Sequence, residues 1–367
     1  MPQNVSTIPI QSQSAGFYNG LRKEVFSFLQ KNSLSQIDAK GLILKATIVY
    51  LLWGIFYGAF LYTAMHYAWY SLFLIPALAF SIICIVLSVM HDGSHNAFSN
   101  SSLLNKLAAY SLMFAGASPI LWYKLHVRAH HDNTNVSGYD QDFEAGGLLR
   151  LHPAQPRKNI YRFQHIYAWP LYLGHSLKWI WRDDFHDFFT DRWKLSLNEK
   201  IKVAIELIVS RLWHISIFIA LPYLASGSWQ LTLTFYLVHW MIVSIALVLV
   251  FAMAHLSNVQ AMPADKSPTT PDWALHQLAT TANFAPYNKP LSWVIGGLNF
   301  QIEHHIFPKI SHTRYPLISP VVKRYCEKHN IVYNEFKSFR AVIAGHYHHL
   351  RFFGRKEKIP IEKLLEN

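Results

Sequence analysis

The sequence has few charged residues and very few cysteines for its length. Only 15% of its 367 residues are Asp, Glu, Lys or Arg, whereas 51% are hydrophobic, and this balance argues against an ordinary soluble protein. The two cysteines, Cys84 and Cys326, lie far apart, which argues against a disulfide framework and against a thiolate metal site. Residues 1–20 lack a basic region followed by an apolar region and a cleavage site, so we expect no signal peptide.

Acidic residues are scarce relative to basic ones, and histidine is abundant. The 33 Lys and Arg against 21 Asp and Glu give a formal net charge of +12, and there are 21 histidines. Such an excess indicates nucleic acid, an anionic membrane face or an acidic protein as partner. Because no nucleic-acid motif is present, we expect the last two.

Four apolar runs are long enough, at roughly 20 residues each, to cross a membrane. The third is the least regular because it contains Glu206 and Arg211, which we expect to pair with each other. The predicted spans are residues 46–65, 70–90, 203–225 and 230–254.

Two further apolar stretches, residues 103–123 and 161–181, are interrupted by Gly, Pro, His or Lys. Their Trp and Tyr content is typical of the headgroup level, so we interpret both as interfacial. Residues 21–40 predict a basic amphipathic helix and a linker that lie against the membrane surface.

The distribution of Lys and Arg predicts the orientation. Basic residues lie before the first span, between the second and third, and after the fourth, whereas both short hairpin turns have none. By the positive-inside rule, both termini and the central segment are cytoplasmic, in what we expect to be a bacterial inner membrane. The predicted fold is all-α and integral to the membrane: four transmembrane helices in two hairpins, with a cytoplasmic histidine-rich cap and interfacial helices. Its predicted parts are an N-terminal segment (1–45), a membrane domain (46–310) and a basic tail (311–367).

Histidines cluster at the predicted cytoplasmic ends of the spans. A spacing of i, i+4 puts two imidazoles on one face of a helix, one turn apart. Each short motif is weak alone, but all of them fall on the same predicted side of the membrane. The clusters are His91-x-x-x-His95, His126-x-x-x-His130-His131, His255, and Gln301-x-x-His304-His305.

Imidazole ligands suit Zn, Cu, Fe and Ni. The clustered imidazoles exceed the three or four ligands that one zinc takes, so two metals that share them are the simplest interpretation. No Glu is followed three residues later by His, which excludes the carboxylate-rich di-iron site of helical bundles. A histidine-only di-iron site beside a lipid-facing scaffold would suit O2 activation and attack on an inert C–H bond. An acidic one-electron donor would then reduce the iron before O2 binds.

Several short segments of the sequence resemble motifs of the membrane fatty acid desaturase superfamily. Within it they resemble most the front-end branch of Δ6/Δ5-type acyl-lipid or acyl-CoA desaturases. Gln301 in place of a first histidine in the third histidine box is typical of that branch. The resemblance covers about residues 46–308. The matching segments are HDGSHNAFS, HVRAHHDNTN followed by YDQDFE, FQHIYAWPLY and GGLNFQIEHHIFP.

The resemblance implies an O2-dependent desaturase with two iron ions that introduces a cis double bond into a long acyl chain. It places Gln301 near a metal, His165 in a packing or supporting role, and a kinked acyl tunnel between the spans, for which Trp122 and Tyr123 are candidates. The implied substrate is bound to lipid, CoA or a carrier protein. The implied iron ligands are His91, His95, His126, His130, His131, His255, His304 and His305.

The sequence departs from the family pattern in two ways. Many front-end enzymes carry a fused cytochrome b5 with a His-Pro-Gly-Gly motif, which is absent here, so we expect a separate ferredoxin or cytochrome b5 as donor. Some relatives place an Asn one turn before the histidine of the fourth span, where this chain has Phe251. Asn258 is a weak substitute.

Other interpretations remain open at this stage. A hydroxylase or ketolase of acyl chains or carotenoids would share the metal site, and a metal or proton transporter would place its histidines in mid-bilayer. A further histidine cluster, His346-x-His348-His349, lies in the basic C-terminal segment with no apolar run beside it, and we expect it to be exposed to solvent.

Overall fold

The computed structural model describes residues 16–141, 145–263 and 272–355. They are mostly helical, and the two short strands β1 (Asn283–Phe284) and β2 (Glu335–Phe336) pair in parallel. Segments of 3-10 helix cover Ala68–Leu74, Asn159–Phe163 and His312–Arg314, and π-helical segments cover Ile85–Met90, Tyr123–His130, Trp179–Asp183 and Ser216–Ala220. The α-helices are α1 (Phe17–Lys31), α2 (Ala39–Tyr67), α3 (Ile75–Cys84), α4 (His91–Ser94), α5 (Ser102–Tyr110), α6 (Leu112–Ala115), α7 (Pro119–Trp122), α8 (Gln164–Tyr172), α9 (His175–Lys178), α10 (Asp184–Phe189), α11 (Leu197–Ile215), α12 (Leu221–Ser226), α13 (Trp229–His255), α14 (Trp273–Thr280), α15 (Lys289–Val294), α16 (Gln301–Ile306), α17 (Tyr315–Lys328) and α18 (Phe339–Arg355).

Three helical stretches of the described chain are long and apolar enough to cross a membrane: Ala39–Ser94, Leu197–Ser226 and Trp229–His255. The first is 56 residues long and contains both of the first two predicted spans. Within it Ala68 has a positive φ of 45°, and α3 packs against α2. The chain therefore reverses direction inside this stretch.

The two interrupted apolar stretches form short helices. Residues 103–123 are divided among α5, α6 and α7, with Gly116 in the left-handed conformation at the end of α6. Residues 161–181 are divided between α8 and α9 by Leu173 and Gly174. This segmentation agrees with the interfacial interpretation because the described helices here are too short to span about 30 Å of hydrocarbon.

The expected pairing of Glu206 with Arg211 is wrong. Residues five apart on an α-helix point about 140° away from each other, and each of these side chains finds a partner outside α11. Arg211 Nη2 lies 3.0 Å from Asp184 Oδ2, whereas Glu206 accepts a hydrogen bond of 2.6 Å from the Ser118 hydroxyl. Burial raises the pKa of Asp184 to about 6, although Arg211 opposes this rise.

The N-terminal helix does not offer its apolar face to a membrane, contrary to our expectation. The helix begins at Phe17 and ends at Lys31, a few residues earlier than the predicted range. Its apolar side chains Phe17, Leu21, Val25 and Leu29 share one core with α14, α16 and α17. Protein therefore covers the surface that we expected to contact lipid.

Candidate metal centre

The first histidine box lies where the α3 stretch ends. The π-helical segment Ile85–Met90 runs directly into α4, which carries His91 and leads to His95, and their ring centroids lie 4.9 Å apart. Between them, Gly93 packs against α5. A Cβ at this position would lie 2.5 Å from the backbone nitrogen of Ala109, so only glycine allows this close approach.

The second box lies on the π-helical segment Tyr123–His130. A π turn closes with a hydrogen bond between residues five apart, and the His131 amide accordingly donates to the carbonyl oxygen of His126. This wider turn brings both His130 and His131 one turn away from His126. Their rings lie 5.2 Å and 4.9 Å from the ring of His126. π-helical turns are frequent at functional sites.

The remaining candidate ligands come from the C-terminal half of the described chain. His255 is the last residue of α13, and its ring lies 4.6 Å from that of His130. His304 and His305 are neighbours on α16. The His304 ring lies 4.5 Å from His91, and the His305 ring lies 4.2 Å from His131. The four clusters therefore converge.

All eight of these histidines are buried, with exposures of 4% or less. Their nitrogen atoms form three overlapping groups, and within each group the atoms lie within 4.8 Å of one another. Because two of the groups share no residue, the cluster offers two neighbouring sites with at least three imidazoles each. The groups are His91, His95, His126 and His304; His130, His255 and His305; and His131, His304 and His305.

Burial favours the neutral form of five of these imidazoles. It lowers the pKa of His95 to about 4 and, together with the neighbouring imidazoles, holds the pKa of His126, His131, His304 and His305 well below the usual value. Neutral imidazole is the form that binds a metal ion, because the ligand nitrogen must carry a free lone pair. These five imidazoles are therefore in their ligand form at pH 7.

Hydrogen bonds orient several rings from the side away from the cluster. His130 Nδ1 lies 2.9 Å from Asp140 Oδ2, His305 Nδ1 lies 2.8 Å from Gln277 Oε1, and His304 Nδ1 lies 3.3 Å from the Tyr315 hydroxyl. Such contacts fix the tautomer and aim of metal-binding histidines. By contrast, the inner Nε2 atoms of His304 and His305 have no hydrogen-bond partner among the described residues. Buried nitrogen atoms that lack a partner fit a metal pair held by imidazole.

A buried chain of polar contacts braces the first box. Asp92 lies beside His91 in sequence and accepts from His312 Nδ1 at 2.8 Å. His312 Nε2 lies 3.1 Å from Lys45 Nζ. These contacts join α2, α4 and the segment after α16, although the residues are 47 to 267 positions apart.

The other sequence candidates fall into two sets. Gln301 lies beside His255, and the Trp122 ring stacks on His126 at 4.5 Å, so both adjoin the cluster. Asn258, by contrast, is exposed and faces Gly345, because α13 has ended and the chain has turned away. His165 packs against Tyr347 at 5.4 Å, and Tyr123 is 39% exposed. Asn258, which we named only as a weak substitute, is therefore not part of the cluster.

Sequence reasoning missed the residues that orient the histidines. The role of Asp140 could have been predicted because the residue belongs to the acidic segment YDQDFE after the second box. Gln277, Tyr315 and His312 carry no local signal, since each lies outside the matching segments. Each contacts its histidine or aspartate only in the folded structure.

The C-terminal histidine cluster is not exposed as we expected, with the exception of His348. His346 and His349 are buried on α18, with exposures of 0% and 3%. His346 Nε2 lies 2.8 Å from the Tyr172 hydroxyl, and His349 Nε2 lies 2.9 Å from the Leu151 carbonyl oxygen. Both residues hold α18 against the protein and lie outside the metal cluster.

We expect these two buried histidines to destabilise the protein in mild acid. Burial lowers the pKa of His346 to about 4 and of His349 to about 3, whereas histidine in an unfolded chain titrates near 6.5. The folded state thus binds fewer protons, and stability falls as the pH drops below about 6.5, by up to about 1.4 kcal/mol per pH unit for each group. Thermal unfolding of the purified protein between pH 7.5 and 4.5 measures this slope. The double variant His346→Gln, His349→Gln should show a shallower slope, and His348→Gln, an exposed neighbour, should not; equal slopes would contradict the assignment.

Comparisons with known proteins agree with the geometry. A model of the fatty acid desaturase family matches residues 67–337. The chain is 31% identical to the sn-1 linoleoyl-lipid 6-desaturase of Synechocystis sp., across 94% of this chain and 97% of that protein. It is 30% identical to the acyl-lipid (8-3)-desaturase of Physcomitrium patens, across 94% of this chain and 73% of that protein. It is 28% identical to the Delta(5) fatty acid desaturase A of Dictyostelium discoideum, across 93% of this chain and 76% of that protein.

Proposed function

The chain belongs to the fatty acid desaturase family, and we propose that it is an acyl-lipid desaturase of the front-end type. The reaction converts two adjacent methylene groups of a long acyl chain into a cis double bond. The observation that carries this proposal is the cluster of eight buried histidines in a chain that aligns over 94% of its length with a 6-desaturase. The names of the 6-desaturase and Delta(5)-desaturase relatives support the front-end assignment.

The resident metal is proposed to be a pair of iron ions held by the eight histidines. Two groups of imidazoles that share no residue support two metal positions, and the buried Nε2 atoms that lack partners support direct ligation. When bound, the iron pair supplies the site at which O2 is reduced and the acyl C–H bonds are attacked. Gln301 is proposed to support His255 rather than to replace a ligand, because its side chain adjoins that ring.

The protein's own task is to hold the acyl chain against this site and to exclude water. A misplacement of about 1 Å at the reacting carbon is costly for such a reaction. Trp122 is buried, stacks on His126, and lies 6.1 Å from Phe251 between ring centroids. These rings make an apolar wall beside the first metal group, and we propose that the reacting part of the acyl chain passes along it.

The proposed topology has four spans in two hairpins, with the metal centre and both termini in the cytoplasm. The reversal at Ala68 and the left-handed Gly227 between α12 and α13 support the two hairpins. The arrival of His91 and His255 at the ends of the α3 and α13 stretches supports a common depth. The positive-inside distribution of Lys and Arg supports the orientation, and we retain the bacterial inner membrane and the parts 1–45, 46–310 and 311–367 as proposals.

Expression in a host that lacks front-end desaturase activity tests this function. Cells are fed defined fatty acids with existing double bonds, and their lipids are analysed by mass spectrometry. We expect a product two mass units lighter, with the new double bond between the carboxyl group and the existing one. A gain of one oxygen would instead identify a hydroxylase or ketolase, and unchanged lipids in cells with metal-loaded protein would contradict the proposal.

A further inference from the structure

A basic groove lies between α1 and α17. It has a volume of about 650 Å³ and is lined by the cations Lys23, Lys31, Arg324 and Lys328 and by the carboxylate of Glu24. All five side chains are exposed. We call this surface the α1/α17 groove.

Most of this positive charge is uncompensated. Lys328 Nζ lies 3.7 Å from Glu24 Oε1, which is a loose contact. Lys23, Lys31 and Arg324 make no ion pair within the ranges that the structure describes. A concave surface on which one sign of charge predominates attracts partners of the opposite sign and speeds their association.

The close approach of the two helices makes the groove a fixed feature. A Cβ on Gly20 would lie 2.1 Å from the Tyr325 hydroxyl, so glycine lets α1 and α17 touch. The Phe17 ring packs on Tyr325 at 5.3 Å and on His329 at 5.8 Å. The floor of the groove is therefore packed, and the two helices that carry its charged rim are held close together.

The groove is connected to the metal cluster by two short routes. α17 starts at Tyr315, whose hydroxyl lies 3.3 Å from His304 Nδ1. The nine residues from there to Arg324 rise about 14 Å along a helix. On the neighbouring face of α1, the Tyr18 ring lies 5.6 Å from Trp273, and the Trp273 indole N–H donates to the His131 carbonyl oxygen at 3.3 Å.

An anionic membrane face fits this groove poorly. A helix that lies in a membrane surface buries an apolar face among the lipids, but Phe17, Leu21, Val25 and Leu29 of α1 are covered by protein. The groove itself is concave, whereas a bilayer offers a flat array of charges. A small protein with a convex acidic patch fits both the shape and the sign of the charge.

We propose that the α1/α17 groove is the docking surface for an acidic protein that donates one electron at a time. The inference rests on the proposed function, because only that function requires electrons. Each docked donor loses one electron, so two visits complete one turnover. The two electrons, two protons from solvent and two hydrogen atoms from the acyl chain reduce O2 to two molecules of water.

Binding of a purified acidic [2Fe–2S] ferredoxin to the full-length protein in lipid nanodiscs tests this surface. Surface plasmon resonance gives the Kd at low and at high salt, and it needs no turnover. The variant Lys31→Glu, Arg324→Glu should weaken binding about tenfold or more at low salt and should flatten the salt dependence. The matched variant Lys337→Glu, Arg351→Glu reverses one exposed lysine and one exposed arginine outside the groove and should leave the Kd within about twofold.

An equal Kd for wild type and both variants would overturn the proposal, as would equal weakening in both variants. The groove variant could also bind phosphatidylglycerol vesicles more weakly while its Kd for ferredoxin stays unchanged. That result would assign the groove to membrane binding and would overturn the proposal as well. The proposed function fails separately: wild-type protein that binds ferredoxin through the groove but yields no desaturated lipid would disprove the reaction and keep the docking surface.

Discussion

Replacement of His304 by alanine should leave a folded membrane protein that holds little iron and forms no detectable unsaturated product. His304 belongs to two of the three nitrogen groups, and its ring approaches both His91 and His131, at 4.5 Å and 4.6 Å. Its loss therefore removes one imidazole from each of two groups at once. Iron content per protein, measured by mass spectrometry, and product formation in fed cells check the two parts of this result.

His348→Ala is the matched control because this histidine is exposed on α18 and lies outside the three nitrogen groups. It should retain the iron content and the product yield of the wild type. His130→Ala should behave like His304→Ala, since it removes a member of the other group. Full activity of either His304→Ala or His130→Ala would disprove the ligand assignment. Loss of protein from the membrane fraction would show a failure to fold. Iron and product are therefore measured per amount of protein that remains in the membrane, which separates loss of iron binding from loss of folding.

The second large effect should come from Asp140→Asn, a change beside the cluster that removes no ligand. The Asp140 carboxylate accepts from His130 Nδ1 at 2.9 Å and from the backbone N–H of Asn135 at 2.8 Å, and it is fully buried. An asparagine keeps the size of the side chain but loses its negative charge, and that charge makes the His130 imidazole a better electron-pair donor to a metal ion. Loss of such an outer partner typically costs 10- to 100-fold in metal affinity.

A chelator competition assay measures this effect as the concentration of chelator that removes half of the iron. We expect Asp140→Asn to release iron at a chelator concentration roughly 10- to 100-fold lower than the wild type, with the same elution volume in gel filtration. Asp140→Glu, which retains the charge, should fall between the two. An iron affinity of Asp140→Asn equal to that of the wild type would show that the Asp140 carboxylate serves packing alone.

Hydropathy and spacing predicted the gathering of the histidines because the first box and His255 lie at the ends of apolar helices. The ends of packed helices share a depth, so His91 and His255 could be placed at one level before any contact was known. The matches to the desaturase family confirm the resemblance drawn from the same boxes. The pairing of particular rings, such as His131 with His305, depends on tertiary packing and has no signature in the local sequence.

The errors came from polar segments whose covering partner lies far away in sequence. In α18, Val342, His346, His349 and Phe353 recur at helical spacing and are all buried, and this stripe was available in the sequence. The apolar stripe of α1 was recognised, but nothing local distinguishes a face covered by lipid from one covered by α17. Asn258 was named as a weak substitute because it lies about one helical turn after His255 in sequence, whereas α13 ends at His255.

The proposed iron ligands come from positions 91 to 305, and this breadth has a consequence for biosynthesis. A nascent chain that has not yet emerged past His305 holds only part of the set, so the complete centre cannot assemble while the ribosome is still making the second half of the protein. Under the proposed function, the complete iron pair binds only after α16 has been translated, since a site that is not preformed binds metal only as the chain folds around it. Iron starvation should consequently yield full-length, inserted apoprotein rather than truncated chains, ready to be loaded when the metal returns.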